Sequence, residues 1–170
     1  RLLLRADMDA LPVREATGRS YASQVTVDNP HGPGRVHVMH ACGHDIHMTN
    51  LIGVARFLSA HRDRWSGTVM FVFQPAEELV AGARAMLDDQ LYERFGKPDQ
   101  AIALHVSTTL PAGQIACRAG YVLANVDGAD ITVHGVGGHG AFPHTTIDPI
   151  VQAAQLVLAL QTIVSREVEP

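Results

Sequence analysis

The stretch Thr68-Val69-Met70-Phe71-Val72-Phe73 indicates the fold class of this chain, because it is a continuous, uncharged and largely apolar run of strand length. Such a run is typical of a parallel strand that is covered on both faces, and we expect it to be a central strand. Similar runs occur at Leu2 to Ala6 and at Gln100 to Leu104, and helical patterns separate the three. The sequence therefore predicts an α/β fold built on a parallel sheet.

Polar side chains follow each of these predicted strands. Asp7 and Asp9 come after the first, Glu77 and Glu78 after the second, and His105 after the third. Ligands of open α/β sheets gather outside the carboxyl ends of strands, so these side chains can converge. Plainer interpretations remain open: the aspartates could satisfy turn backbone, the glutamates could complement the dipole of the next helix, and the histidine could be a core residue.

A thiol and imidazoles for such a site come from the segment His40-Ala41-Cys42-Gly43-His44-Asp45. Cys42 and His44 are two residues apart and project to the same side of an extended segment, where both can reach one cation. A thiolate and a neutral imidazole suit zinc or another borderline divalent metal. A histidine-rich loop without a metal is the alternative for this segment taken alone.

The polar residues at the strand ends supply partners for this thiol and imidazole. Four side chains can converge on a metal: Cys42, His44, Glu78 and His105. A closed structural metal site and a redox-sensing thiol are the non-enzymatic alternatives. The neighbouring pair of Glu77 and Glu78 argues against both, because a closed structural site needs no free carboxylate base.

Apolar residues at helical spacing follow both the segment that contains Cys42 and the pair of Glu77 and Glu78. Asp45 is predicted to cap a helix to about His61 with one buried face, consisting of Met48, Leu51, Ile52, Ala55 and Leu58. His47 in its first turn is favoured as a solvated residue over a neighbour of the metal ligands. The second helix shows Leu79, Ala83, Met86 and Leu87 at helical spacing. Arg14 to Gly34 is expected to be a loop or irregular hairpin.

Composition shifts near residue 114, where we place a domain boundary between residues 1–113 and 114–170. The second part shows short β-like pieces such as Asp130 to His134, then a glycine-rich loop. Asp148-Pro149 predicts a helix start, with a buried stripe of Ile150, Ala154, Val157 and Leu158 reaching roughly Arg166. The loop lacks the spacing and the Lys-Ser/Thr pair of a phosphate-binding loop, which argues against nucleotide binding.

Charge and cysteine content limit the function classes. A net charge of −4 provides no basic patch for nucleic acid or for a membrane surface, and we find no transmembrane segment or signal peptide. The two cysteines, Cys42 and Cys117, argue against a disulfide framework and favour the cytoplasm. The chain opens without Met inside an apolar strand, so we expect a fragment of a longer protein.

Taken together, the motifs resemble one family: the dinuclear metal-dependent aminoacylases, hippurate hydrolases and indoleacetyl-amino-acid hydrolases, a branch of the co-catalytic zinc metallopeptidases. The resemblance covers nearly the whole chain and rests on motifs in the family's order: RADMDALP at 5–12, HACGHD at 40–45, QPAEE at 74–78, ALHV at 103–106 and GGHGAFPH at 137–144. It implies part of a catalytic α/β domain followed by the beginning of an α+β lid and dimerisation domain.

The resemblance also implies roles for individual residues. Cys42 would bridge two divalent metals, Zn²⁺ or Mn²⁺ with Co²⁺ or Ni²⁺ as further candidates, and His44, Glu78 and His105 would be further ligands. Glu77 would be the general base. The remaining implied positions are His139, a lid histidine that reaches substrate, often across a dimer interface, and Asp7, Asp9 and Asp45 beside the ligands. Asp9 would orient the site, and Asp7 stands where relatives outside this branch have a metal-binding histidine.

The implied activity is metal-dependent hydrolysis of the amide bond of an N-acyl amino acid by a homodimeric enzyme. A carboxypeptidase or dipeptidase acting on a short peptide is the alternative within the same superfamily. The family also uses a distal histidine ligand, which these 170 residues lack. We therefore expect this segment alone to bind at most one metal tightly and to be inactive.

Overall fold

The computed structural model describes residues 1–29, 32–123 and 128–167. Two compact units are present, Arg1–Ala116 and Cys117–Pro170, and each is described by itself. Their border lies close to the boundary predicted near residue 114. The assignment of the first part to a catalytic domain and of the second to a lid and dimerisation domain stays a prediction. In the described ranges, no helix combines the length and apolarity needed to cross a membrane.

The described residues of the first unit form α-helices and β-strands, which we number in chain order. They are β1 (Leu2–Asp7), β2 (Thr26–Asp28), β3 (Arg35–His37), α1 (His44–Ala60), β4 (Val69–Gln74), α2 (Gly82–Asp88), α3 (Leu91–Phe95) and β5 (Gln100–Ala103). A short 3₁₀ helix, Arg62–Arg64, follows α1. The predicted loop or irregular hairpin over Arg14 to Gly34 contains β2, which pairs antiparallel with β3 just beyond that range.

A parallel three-stranded sheet in the order β4-β1-β5 forms the centre of this unit. Asp7 lies opposite Gln74 on β4, and Arg5 lies opposite Ala103 on β5, so the three strands end at the same edge. The predicted parallel α/β sheet is confirmed. The expectation that the 68–73 run is the central strand is wrong, because β1 occupies the centre and β4 pairs on one side only within the described residues.

Helix α1 packs against β1 and β4. It begins at His44, and Gly43 occupies the N-cap with φ 79°, so the prediction that Asp45 caps the helix is wrong. Its buried residues are His44, His47 and Leu51, whereas Ile52 is 50% exposed. The solvated position predicted for His47 is therefore also wrong. Apolar spacing located the helix and most of its inward face, since Leu51 is buried and Met48, Ala55 and Leu58 are half-buried, but it missed the polar residues on that face at the first turns.

The helix predicted after the glutamate pair begins later than expected. Helix α2 starts at Gly82, so Glu77 and Glu78 lie in the preceding loop rather than in its first turn. Leu79 is 73% exposed and does not belong to a buried helical face. The geometry therefore disfavours a simple dipole role for the two carboxylates.

The second unit contains helix α4 (Pro149–Thr162), which a π-helical turn at Ile163–Glu167 extends. Asp148 caps α4 as predicted, because its carboxylate accepts the N–H groups of Ile150 and Val151. The described residues around 130–134 form no assigned strand, and Val136 pairs with Ile147 in an isolated antiparallel bridge instead. The predicted buried stripe is wrong within this unit: Ile150, Val157 and Leu158 are exposed, since a stripe is buried only where a second layer covers it.

Candidate metal centre

His44 lies at the centre of the polar cluster and is fully buried. Its Nδ1 lies 2.9 Å from Oδ1 of Asp9. A neutral imidazole that donates Nδ1–H to a carboxylate keeps a lone pair on Nε2, the arrangement typical of a metal-binding histidine. Within the described residues, His44 Nε2 is buried without a hydrogen-bond partner.

Three carboxylates surround this unpartnered nitrogen. His44 Nε2 lies 3.8 Å from Oε1 of Glu78, 3.9 Å from Oε2 of Glu77 and 3.8 Å from Oδ2 of Asp7. These separations are too long for hydrogen bonds. A buried lone pair facing negative oxygens is costly unless a cation lies between them. The residues present therefore fit a divalent metal ion.

Cys42 and His105 add a thiol and a second imidazole to this donor set. Cys42 Sγ lies 3.5 Å from His105 Nε2, and ligand atoms of Cys42, His44 and His105 all lie within 4.8 Å of one another. Burial raises the pKa of the Cys42 thiol, and the nearby carboxylates, Glu78 first, raise it further. A thiol, two imidazoles and carboxylates together match the ligands of zinc and similar ions, which bind the thiolate form.

The structure thus brings together the four residues predicted as metal ligands. Cys42 precedes α1, His44 is its first residue, Glu78 follows β4 and His105 follows β5. Their roles as ligands stay predictions, and the geometry supports them.

A strained loop after β4 presents the two glutamates. Ala76 has φ 48° and Val80 has φ 52°, left-handed conformations that a β-branched residue such as valine rarely adopts. Ala81 and Gly82 both donate their N–H groups to the carbonyl of Ala76, which closes the turn. A Cβ on Gly82 would lie 1.6 Å from the carbonyl oxygen of Pro75, so the approach requires glycine. Strain of this kind is common at functional sites.

Asp9 connects this loop to the buried histidine. While its Oδ1 contacts His44, its Oδ2 accepts the backbone N–H of Glu78 at 2.9 Å. One carboxylate thereby sets the position of two predicted ligands, which supports the orienting role expected for Asp9. Asp45, which we grouped with it, is exposed in the first turn of α1.

Asp7 is buried, and both of its oxygens have partners. Oδ1 lies 2.6 Å from His47 Nδ1, and Oδ2 accepts a hydrogen bond of 2.7 Å from Arg5. Burial raises the pKa of Asp7, but the hydrogen bond from His47 and the positive charge of Arg5 outweigh it and leave that pKa below its usual value. Asp7, His44 and His47 could form a second cluster around a cation, but the engaged oxygens of Asp7 argue against it.

His47 is the residue of this cluster whose place the sequence did not predict. Its Nε2 accepts the backbone N–H of Val106 at 2.9 Å, so both ring nitrogens are engaged. The sequence feature that could have predicted this position is the spacing of three residues between His44 and His47, which puts both on one helix face.

His139 lies in the second unit, in the glycine-rich loop. Its Nδ1 accepts the N–H of Ala141 at 3.1 Å, and its ring centroid lies 5.5 Å from that of Phe142. Because Nδ1 is an acceptor, the proton of the neutral ring lies on Nε2, which can donate. His139 also lines an open cavity of about 450 Å³ together with Gly135–Gly138 and Ile147–Pro149.

The sequence matches the peptidase family M20/M25/M40 over residues 3–170, so the chain belongs to this family. This confirms the resemblance seen in the motifs. N-acetyldiaminopimelate deacetylase of Leuconostoc citreum is 43% identical over 166 residues, which cover 98% of this chain and 40% of that protein. IAA-amino acid hydrolase ILR1-like 5 of Arabidopsis thaliana is 42% identical over 167 residues, which cover 98% of this chain and 35% of that protein.

The crystal structure of another protein is also similar to the structure of this chain. The YXEP protein of Bacillus subtilis, described as a dinuclear metal-binding peptidase from the M20 family, superimposes with a TM-score of 0.56 at 39% identity. The match covers 66% of this chain and 28% of that one. The chain spans about two fifths of the length of the curated relative from Leuconostoc.

Proposed function

We propose that the protein containing this chain hydrolyses the amide bond of N-acyl amino acids with two divalent metal ions. One observation carries the proposal: the buried Nε2 of His44 lacks a partner among the described residues and faces the carboxylates of Glu77 and Glu78. The names of the relatives, a deacetylase and an amino acid hydrolase, support the substrate class.

Cys42, His44, Glu78 and His105 would hold the metal ions, with Cys42 shared between them. Zn²⁺ and Mn²⁺ are the first candidates for this donor set, followed by Co²⁺ and Ni²⁺. When bound, such ions polarise the amide carbonyl and make water more acidic. The dinuclear metal site named for the Bacillus relative supports two ions.

Glu77 would act as the general base. Its side chain is 41% exposed against 27% for Glu78, so it is the glutamate more open to substrate and water. Glu77 takes a proton from water as the water oxygen bonds to the acyl carbon, and it passes that proton to the amine nitrogen as the C–N bond breaks. The products are a carboxylic acid and a free amino acid.

His139 would donate a hydrogen bond from Nε2 to the oxyanion that develops on the acyl group. Its acceptor role at Nδ1 supports this, because it leaves the proton on Nε2. Removing one such donor typically costs about 2.7–4 kcal/mol of transition-state stabilisation. We place His139 in the lid domain of a homodimeric cytoplasmic enzyme, where it serves the site of its own chain or that of its partner.

A panel of substrates tests the proposal against its alternatives. The whole protein is purified, its metal content is measured, and hydrolysis of N-acetyl amino acids, N-benzoyl amino acids and dipeptides is compared. We expect metal in the protein and preference for the N-acyl substrates. Preference for dipeptides would favour a carboxypeptidase or dipeptidase, and bound metal without any hydrolysis would favour a structural metal site or a thiol redox module.

A further inference from the structure

We propose that His47 is a positioning residue that holds the metal ligand His105 in place through the backbone amide of Val106. The inference rests on the proposed function, since it assigns His47 a part in building that metal centre. It differs from the role of Asp9, which contacts the ring of His44 directly.

The hydrogen bonds of His47 determine its tautomer. A backbone N–H can only donate, so the 2.9 Å contact from Val106 N requires an unprotonated Nε2. The proton of the neutral ring is then on Nδ1 and is donated to Oδ1 of Asp7 at 2.6 Å. His47 is 2% exposed, so rotating its ring away would leave its two buried ring nitrogens without hydrogen-bond partners.

Asp7 is itself anchored across the sheet. Arg5 donates to Oδ2 of Asp7 from Nη1 at 2.7 Å and to Oε1 of Gln74 from Nε at 2.9 Å. A chain of hydrogen bonds therefore runs from Gln74 through Arg5, Asp7 and His47 to Val106. It joins the end of β4, the end of β1 and the segment after β5.

His105 lies where such an anchor is needed. It is exposed and follows β5, whose four residues are all exposed. The rings of His47 and His105 contact edge to face, with centroids 4.7 Å apart. Val106 is also confined by Gly43, since a Cβ at that glycine would lie 2.6 Å from Val106 Cγ2. A ligand held in its binding geometry beforehand loses less conformational entropy when the metal binds.

Two substitutions of His47 separate its hydrogen bonds. Asparagine places an amide nitrogen near the position of Nδ1, so His47→Asn keeps the bond to Asp7 and loses the acceptor for Val106. Glutamine reaches the position of Nε2 with its carbonyl oxygen, so His47→Gln keeps that acceptor. His61→Asn is the matched control, because His61 contacts the carbonyl of Phe57 at the far end of α1.

Metal affinity of the whole protein is measured with Zn²⁺ by competition with a chelator. We expect His47→Asn to weaken affinity by about 10-fold or more, the usual scale for losing support behind a ligand. The affinity of His47→Gln for Zn²⁺ should lie closer to that of the wild type, and the affinity of His61→Asn should equal that of the wild type. Equal affinity for the wild type and His47→Asn would overturn the inference.

A measurement on the unmutated, metal-free protein tests the hydrogen bonds of His47 independently of metal affinity. We expect ¹⁵N NMR to find Nε2 of His47 unprotonated, and hydrogen exchange to find the Val106 amide protected. His47→Asn should lose that protection, whereas His47→Gln should retain it. A protonated Nε2 or an unprotected Val106 amide would overturn the inference even if the variants fail to fold. A wild-type protein that binds no Zn²⁺ would instead overturn the proposed function.

Discussion

Asp9 and His44 are joined by a 2.9 Å contact between Oδ1 and Nδ1, and the second oxygen of Asp9 accepts the backbone N–H of Glu78. This single carboxylate therefore orients one predicted ligand through its ring and another through its backbone. The relationship connects the end of β1 with the first turn of α1 and the loop after β4.

The first prediction concerns this contact. Asp9→Asn removes the negative charge and one of the two acceptors, so either His44 or the loop of Glu78 loses its support. We expect affinity for Zn²⁺ to fall by about 10- to 100-fold, measured by chelator competition. Asp45→Asn is the control, since Asp45 is exposed in the first turn of α1 and should have little effect. An equal loss in both variants would indicate a general effect of charge.

The second prediction separates the two neighbouring glutamates. Glu77→Gln should keep the metal content near normal and lower turnover by about 100-fold or more, because the general base is lost. Glu78→Gln should lower the metal content, because a ligand is lost. Metal analysis together with kinetics on the whole protein tests both. Retained activity in Glu77→Gln would contradict its role, and equal metal loss would mean that the roles are shared or reversed.

A third prediction follows from the raised pKa of Cys42, which burial causes first and the charge of Glu78 second. In the metal-free protein, Glu78→Gln removes one carboxylate and should lower that pKa. The thiolate fraction at pH 8 then rises, so Cys42 should react faster with iodoacetamide than in the wild type. Mass spectrometry of labelled peptides measures the rate, and the exposed Cys117 is the internal reference. An unchanged rate at Cys42 would show that Glu78 does not act on the thiol.

The fourth prediction concerns stability. Gly43 has φ 79°, and a Cβ there would lie 2.6 Å from Val106 Cγ2, so Gly43→Ala combines backbone strain with a clash. We expect the free energy of unfolding to fall by about 1–3 kcal/mol in urea titrations of the metal-free protein. Gly53→Ala is the matched control: nothing lies within 4 Å of its added Cβ inside α1. It should stabilise the helix by about 0.5–1 kcal/mol.

The last prediction asks which chain His139 serves. His139→Ala should keep the metals and lose most activity. If His139 acts across a dimer, mixing this variant with Glu77→Gln should restore about a quarter of the wild-type activity, since half of the randomly formed dimers hold one intact site. No recovery, with subunit exchange confirmed by mass spectrometry, would show action within one chain. His144→Ala is a control from the same loop.

The sequence by itself predicted the three parallel strands and the gathering of polar residues at their ends. Apolar runs predicted β1, β4 and β5, and parallel strands end at one edge, so Glu78 and His105 were predicted to lie near each other. The expectation that Cys42 and His44 lie on one side of an extended segment is wrong, because Cys42 lies in a turn, Gly43 is left-handed and His44 begins α1. The inferences about the strands succeeded because they depend on local periodicity and on the common direction of parallel strands.

Tertiary structure alone decided the position of β1 at the centre and the burial of His47. Strand order depends on pairing between segments far apart in the chain, which no local pattern encodes. The burial of His47 depends on distant groups that satisfy both of its ring nitrogens, and these are Asp7 from β1 and the Val106 amide after β5. Hydrophobic spacing counts apolar side chains, so it placed His47 in solvent, whereas the packed sheet edge supplied a hydrogen-bond partner for each of its nitrogens.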